Sequence, residues 1–302
     1  MSHEHESNGA VVCIGVFDGV HKGHQALIAH ARRIADDRGA PLIALTFDPH
    51  PLAVVRPDLA PQSLASLAER RFLLFDAGVD DVFVLQFNDD VASWDPETFI
   101  HRVLHDTLNA QAIVVGGNFR FGHEGAGDVN TLRTAGEQYH FSITEVGLAA
   151  DVQPWSSTRV RHALALGDLK EARNVLGRDY DLSGVVVHGD HRGRELGFPT
   201  ANLKWQGNPV IPGDGVYAGW LVHGSQRYPA AISVGTNPQF AGVERRVETY
   251  VLDRTDLALY GEEITVIFID QLRGQMTFDG LDGLIAQMDS DVAKTRAVLG
   301  LV

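Results

Sequence analysis

Two histidines three residues apart, His21 and His24, close the run Gly15-Val-Phe-Asp-Gly-Val-His-Lys-Gly-His24. An apolar stretch precedes this run and an amphipathic one follows, so the chain passes from strand to helix here. Such a turn offers backbone N–H groups and the positive end of a helix dipole, which together attract an anion. At a spacing of three, both imidazoles face the same side. Gly23 lets a phosphate approach the backbone closely. The matching chemistry is attack on the α-phosphorus of a nucleotide, with two histidine donors stabilising charge that develops toward leaving pyrophosphate. The same residues also describe a glycine turn with two surface histidines, and spacing alone does not choose between the two.

Two further runs suit the same kind of ligand. Trp155-Ser-Ser-Thr-Arg-Val-Arg161 opens a helix with hydroxyls at Ser157 and Thr158 and a guanidinium at Arg161. Those groups at a helix start fit a polyphosphate, or an ordinary N-cap beside two solvated arginines. Gly116-Gly-Asn-Phe-Arg-Phe-Gly122 follows a strand end, where open α/β sheets bind ligands. Asn118 and Phe121 lie in it, and its aromatics can stack on a ring or serve the core.

A second chemistry lies far downstream, in Gly189-Asp-His-Arg-Gly-Arg-Glu-Leu-Gly-Phe-Pro-Thr-Ala-Asn-Leu-Lys-Trp205. Gly193 and Arg194 belong to a glycine-rich loop able to fold over phosphates. Phe198-Pro-Thr-Ala-Asn202 reads as a tight turn that aims the Thr200 hydroxyl and the Asn202 amide at one ligand. Both are weak metal ligands that suit a magnesium already held by ATP phosphates. Glu248, in Arg246-Val-Glu-Thr-Tyr250, alternates with apolar Val247 along a strand. A carboxylate there can accept a hydroxyl proton during phosphoryl transfer, or be a solvated strand residue.

The elements that must carry these residues change character along the chain. Strand patterns at Val11–Phe17, Leu42–Phe47, Asp81–Phe87 and Ala112–Val115 alternate with helical ones at Gln25–Asp37, from Ser66 to about Asp76, and from Asp95 to about Leu108. Ser66 and Glu69 form a capping box, and Asp95-Pro96 an N-cap with proline at the first helical position. This alternation predicts a doubly wound parallel sheet. Short helices follow at Thr158–Leu166 and Leu169–Leu176. Past about residue 180 come strand patterns at Gly184–Val187, Gly215–Val222, Ala230–Val234, Val247–Leu252 and Ile264–Ile269, separated by turns. They predict an antiparallel barrel or sandwich. A last helix carries Leu281, Leu284, Ile285, Met288 and Val292 on one face. Two domains are expected, residues 1–180 and 181–302.

Net charge is −14, and both halves hold more acids than bases. Broad electrostatic binding to nucleic acid is therefore excluded, and phosphates must be held by local devices. No apolar run approaches the roughly 20 residues of a membrane span. Cys13 is the one cysteine; it sits in an apolar run as a small buried hydrophobe. The absence of an intrachain disulfide fits a reducing, cytoplasmic setting. The polar start, Met1 to Gly9, reads as a frayed tail rather than a secretory signal.

Together, Gly15-x-Phe17-Asp-Gly-Val-His21-x-Gly23-His24, Thr46-Phe47-Asp-Pro-His-Pro51, Asn118-Phe-x-Phe121-Gly122 and Ser156-Ser157-Thr158-x-x-Arg161 resemble the adenylyltransferase half of bacterial bifunctional riboflavin kinase/FAD synthetases. The His-x-Gly-His element alone marks a wider nucleotidyltransferase superfamily; the four motifs in this order are specific. Gly189-x-x-x-Gly193-Arg194-x-Leu-Gly-Phe-Pro-Thr200-Ala-Asn202, Gly215-Val-Tyr217, Gly235-Thr-Asn-Pro238 and Val247-Glu248-Thr-Tyr250 resemble the riboflavin kinase half. The resemblance spans about residues 10–300. It implies a Rossmann-like nucleotidyltransferase domain, then a six-stranded Greek-key barrel with a C-terminal helix. It implies that Thr200 and Asn202 contact Mg-ATP and that Glu248 is the base. Riboflavin, FMN and ATP would be the substrates, FMN and FAD the products, and Mg2+ the cofactor. Trp155 stands where the family usually has isoleucine. Another His-x-Gly-His nucleotidyltransferase fused to an unrelated barrel would lack the downstream motifs. A flavin-binding regulator with inactive sites would not need His21, His24, Thr200, Asn202 and Glu248 intact.

Overall fold

The computed structural model describes residues 9–147, 151, 153–189, 198–236, 245–278 and 280–301. The tail before Gly9 lies outside them. Packing divides the chain into two compact units, Met1–Ser156 and Ser157–Val302. The two short helices after Trp155 pack with the second unit.

In the first unit the order is β1 (Ala10–Ile14), α1 (Lys22–Arg38), β2 (Leu42–Asp48), α2 (Pro51–Val55), α3 (Leu67–Asp76), β3 (Asp81–Gln86), α4 (Asp89–Ser93), α5 (Pro96–Phe99), β4 (Ala110–Gly116), α6 (Val129–Tyr139) and β5 (Ser142–Val146). All strands pair in parallel, in the order β3-β2-β1-β4-β5. Every residue of β1 is buried, as a central strand covered on both faces must be. Val12 and Ile14 enter the core on one face, Val11 and Cys13 the core on the other. Burial pushes the Cys13 thiol up to about 12, so it stays protonated and inert.

Three local differences from the sequence patterns have physical reasons. The first strand stops at Ile14 rather than Phe17, because Phe17 and Val20 both take positive φ, 53° and 39°. The helix from Asp95 starts as read, with Asp95 Oδ1 accepting from Thr98 N at 2.7 Å. After one turn it widens into a π-helix over Ile100–Thr107, with Leu108 N reaching back to Val103 O at 3.0 Å. β5 and α6 carry too little contiguous apolar sequence to stand out, since β5 is a half-exposed edge strand.

The second unit opens with α7 (Ser157–Ala165) and α8 (Leu169–Leu176). Then follow β6 (Tyr180–Val187), β7 (Thr200–Lys204), β8 (Gly215–His223), β9 (Gln226–Thr236), β10 (Arg245–Val251) and β11 (Glu263–Arg273). α9 (Leu281–Leu299) closes the unit. The six strands close into an antiparallel barrel, ordered β10-β7-β6-β11-β8-β9. Alternation fills it: Ala201, Leu203, Ile232, Val234, Val247 and Val251 are buried, while their sequence neighbours turn outward. Tyr217 and Phe268 are its largest fully buried side chains and meet edge to face at 5.5 Å.

The apolar face read for the last helix is only partly used, and Leu281 is 56% exposed. The residues α9 buries are Asp291 and Thr295. Arg273 grips Asp291 with Nε at 3.0 Å and Nη2 at 2.8 Å, and Gln287 adds a bond of 2.8 Å. An ion pair thus anchors the helix where the hydrophobic pattern predicts side-chain packing. Removing one partner of a buried pair costs about 3–5 kcal/mol.

Candidate active site

At the carboxyl ends of β1 and β4 the strand order reverses, and a crevice opens where doubly wound sheets bind ligands. The cleft holds about 1060 Å³, at the upper end of small-molecule sites. Gly15, Phe17, His21, Gly23, His24, Phe47, Asn118 and Phe121 all line it. These eight residues, spread between Gly15 and Phe121 in sequence, thus meet around one cleft. Phe17, Phe47 and Phe121 are buried and wall the cleft from beneath; Asn118 is exposed at its rim. The sequence reading missed the apolar lip, which includes Leu52, Val55, Leu85 and Trp94.

His21 is the N-cap of α1. Its Nδ1 accepts from Gly23 N at 3.1 Å and His24 N at 3.4 Å. A ring nitrogen that accepts is unprotonated, which places the ring proton on Nε2 as a donor. His24 stacks on His21 with centroids 3.7 Å apart, and the Phe17 ring stands edge-on at 5.2 Å. The Nδ1 of His24 is buried without a hydrogen-bond partner among the described residues. Burial, then the neighbouring His21 and Arg70, hold the His24 imidazole well below the usual 6.5. His24 is therefore neutral near neutral pH. Gly23 is required sterically, since a Cβ there would sit 3.0 Å from the His21 ring and 3.1 Å from Trp155 O.

Arg70 of α3 was not read from the sequence. It is 4% exposed. Its Nη1 donates to Val16 O at 3.3 Å, Thr46 Oγ1 at 3.2 Å and Phe47 O at 2.8 Å. This one guanidinium ties the loop after β1 to the end of β2. Its burial lowers its own pKa against the opposing charges of Asp18 and Asp48. Nothing in a helix start marks an arginine as buried; only the fold does.

Ser157, Thr158 and Arg161 occupy the first turns of α7 in the second unit. Ser157 and Arg161 are half-buried and Thr158 is exposed. Arg159, between them, pairs with Glu171 of α8 at 2.5 Å.

On the barrel, the expected tight turn at 198–202 is a strand from Thr200 onward. The correction explains the spacing better: residues two apart on a strand share a face. Ala201 and Leu203 fill the barrel, and Thr200 and Asn202 point outward. β10 pairs antiparallel with β7, setting Glu248 directly opposite Asn202 and Tyr250 opposite Thr200. Directly opposed residues hold their Cβ atoms within roughly 5 Å. Thr200, Asn202 and Glu248 are all half-buried. Phe198 and Tyr250 form an edge-to-face pair at 5.1 Å beside them. A Cβ on Gly189 would lie 2.3 Å from Asn202 Nδ2, so the backbone at Gly189 runs against the Asn202 amide. Gly193 and Arg194 lie outside the described residues. Tyr217 is structural: its hydroxyl donates to Gly213 O, and burial pushes it up to about 12.

Two family profiles match the chain, one described as FAD synthetase over residues 3–159 and one as riboflavin kinase over residues 176–299. A bifunctional riboflavin kinase/FMN adenylyltransferase of Escherichia coli (strain K12) is 37% identical over 295 residues, covering 97% of this chain and 94% of the relative. The chain belongs to this bifunctional family. A member from Listeria monocytogenes is 35% identical over 291 residues, covering 95% of this chain and 91% of its own length. A crystal structure from Streptococcus pneumoniae, described as a macrolide-efflux protein, is 33% identical with a TM-score of 0.86, covering 96% of this chain and 94% of its own. No helix among the described residues is long and apolar enough to cross a membrane.

Proposed function

We propose that the chain carries out two ATP-dependent transfers on a flavin. In the first, the 5′-hydroxyl of riboflavin takes the γ-phosphate of ATP, giving FMN and ADP. In the second, the FMN phosphate attacks the α-phosphorus of another ATP, giving FAD and pyrophosphate. The two activities divide near residue 180, with the adenylyl step in 1–180 and the kinase step in 181–302. The setting is the cytoplasm.

In the adenylyl step, His21 and His24 donate to phosphate oxygens as charge moves toward the leaving pyrophosphate. Gly15, Gly23 and Asn118 let the nucleotide approach, and Phe17, Phe47 and Phe121 wall it. Ser157, Thr158 and Arg161, at a helix start, offer hydroxyls and a guanidinium to ATP phosphates. In the kinase step, Glu248 accepts the riboflavin hydroxyl proton, and Gly193 and Arg194 bind the phosphates. Thr200 and Asn202 offer a hydroxyl and an amide oxygen on one strand face, a hard-donor pair that fits magnesium arriving with ATP. Bound there, Mg2+ would neutralise phosphate charge on an acidic protein.

The observation that carries the reading is the register of β7 against β10, which puts the Glu248 carboxylate opposite Asn202, with Thr200 two residues along the same strand face of a filled barrel. A structural barrel surface has no reason to gather those three. Incubation of the protein with riboflavin and ATP, followed by chromatography, should show FMN rising first and FAD after it. Flavin that stays riboflavin while ATP is intact would overturn the reading.

A further inference from the structure

We infer that His101, His105 and Asp106 form a surface site for a first-row transition-metal dication of the zinc type, apart from both transfer sites. The site comes from the π-helix at Ile100–Thr107. Ile100, Val103 and Leu104 fix one side of this segment in the core. The side turned to solvent carries His101, His105 and Asp106. A helix closed by i to i+5 hydrogen bonds has a wider turn than an α-helix, so one residue faces both the fourth and the fifth after it. His101 thereby meets His105 and Asp106 together.

The geometry is that of donors converging on a point. His101 Nδ1 lies 3.1 Å from Asp106 Oδ2, and His105 Nδ1 lies 2.8 Å from Asp106 Oδ1. The imidazoles stack with centroids 5.8 Å apart. One ligand atom from each residue falls within 4.8 Å of the others. Around a tetrahedral ion with bonds of about 2.0 Å, ligand atoms stand about 3.3 Å apart. To admit one, the two nitrogen–oxygen contacts would lengthen slightly, within a cluster whose ligand atoms already lie within 4.8 Å of one another. A dication would bind each ring at an unprotonated nitrogen, with the ring proton carried on the other nitrogen.

The donor set selects the ion. Two imidazoles and a carboxylate suit zinc, cobalt, nickel or copper, whereas magnesium prefers oxygen alone. The rings are held from behind: Tyr139 packs 5.1 Å from His105 and 6.0 Å from His101. Its hydroxyl is itself bonded to Glu97 at 2.5 Å. All three ligands are about half exposed, so a fourth position stays open to water. None of them lines the cleft between β1 and β4, so the inference does not depend on the flavin chemistry.

The test is calorimetric titration of the full-length protein with ZnCl2, without nucleotide or flavin, alongside a Co2+ titration read by its visible absorption. The expected result is one ion per chain, with a tetrahedral-type cobalt spectrum. His105→Ala and Asp106→Asn should each weaken binding by at least the roughly 10- to 100-fold that losing even an outer-shell partner costs. FAD formation should be unchanged in both variants, which shows that they fold. His3 and His5 near the N-terminus offer other imidazoles, so the titration is repeated on His3→Ala/His5→Ala, which should bind as the parent does. Binding that disappears in that variant, survives in His105→Ala, or never becomes tighter than millimolar overturns the site.

Discussion

The cleft of the first unit and the barrel face of the second bring their candidate residues together by opposite means. The cleft works through burial. His21 spends its Nδ1 capping α1, His24 is kept neutral by enclosure, and Arg70 lies beneath them tying two loops together. The loop holding them contains two non-glycine residues at positive φ, a conformation that the surrounding structure must impose. The barrel face works through register. Thr200, Asn202 and Glu248 lie half-buried on two adjacent strands, and their mutual placement follows from which residue pairs with which. A site built by enclosure is sensitive to anything that lets water in. A site built by register tolerates its surroundings and fails when one side chain is displaced.

The sharpest separation comes from Glu248→Gln, which keeps size and removes basicity. Kinase turnover should fall by roughly 100-fold or more, with riboflavin affinity and FMN-to-FAD conversion preserved. Near-normal phosphorylation of riboflavin by this variant would make the carboxylate a positioning group. His24→Ala is the converse, with FAD formation down on the order of 100-fold while FMN accumulates from riboflavin. Loss of both products together would mean that the histidine holds the fold.

Gly189→Ala probes register against contact. The added methyl would meet the Asn202 amide at 2.3 Å, so kinase activity should drop about tenfold, consistent with about 1.4 kcal/mol of lost transition-state stabilisation. The adenylyl step should not change. Equal kinase rates in variant and parent would show that the Asn202 amide can swing aside without consequence.

The boundary between the two regions can be tested by melting fragments. Val160, Leu164, Leu169 and Val175 are buried within the second unit. A fragment of residues 157–302 should therefore melt higher than one of residues 181–302, by roughly 5 °C or more, followed by circular dichroism. Indistinguishable melting would show that α7 and α8 add nothing to the barrel.

The smallest effect is a pH slope. The folded state holds His24 well below 6.5, the value the unfolded chain recovers. Between those values the unfolded state binds a proton that the folded state refuses, so stability declines as the pH drops below about 6.5. Denaturant titrations of the protein and of His24→Gln should differ by at most one proton of slope in that window, and be parallel above it. A slope unaltered by the substitution would remove the enclosure argument.

Much of this was written in the letters. Period-3.6 patterns between apolar runs specify the α/β half, and their disappearance near residue 180 specifies the β half, because periodicity is a local property of the chain. The capping box at Ser66 and Glu69 and the cap at Asp95 also formed as read, since each involves atoms three residues apart. The candidate residues of the cleft and of the barrel were all legible as types in a pattern. Tertiary structure alone decided what depends on distant partners. It made 200–204 a strand and set Glu248 against Asn202, because pairing requires a second strand 46 residues away in sequence. It closed the barrel by pairing β10 with both β7 and β9, and added the Arg273–Asp291 ion pair to the partly buried apolar stripe of α9. It buried Arg70 and kept His24 neutral, because desolvation is a property of everything that surrounds a group and no local run of residues records it.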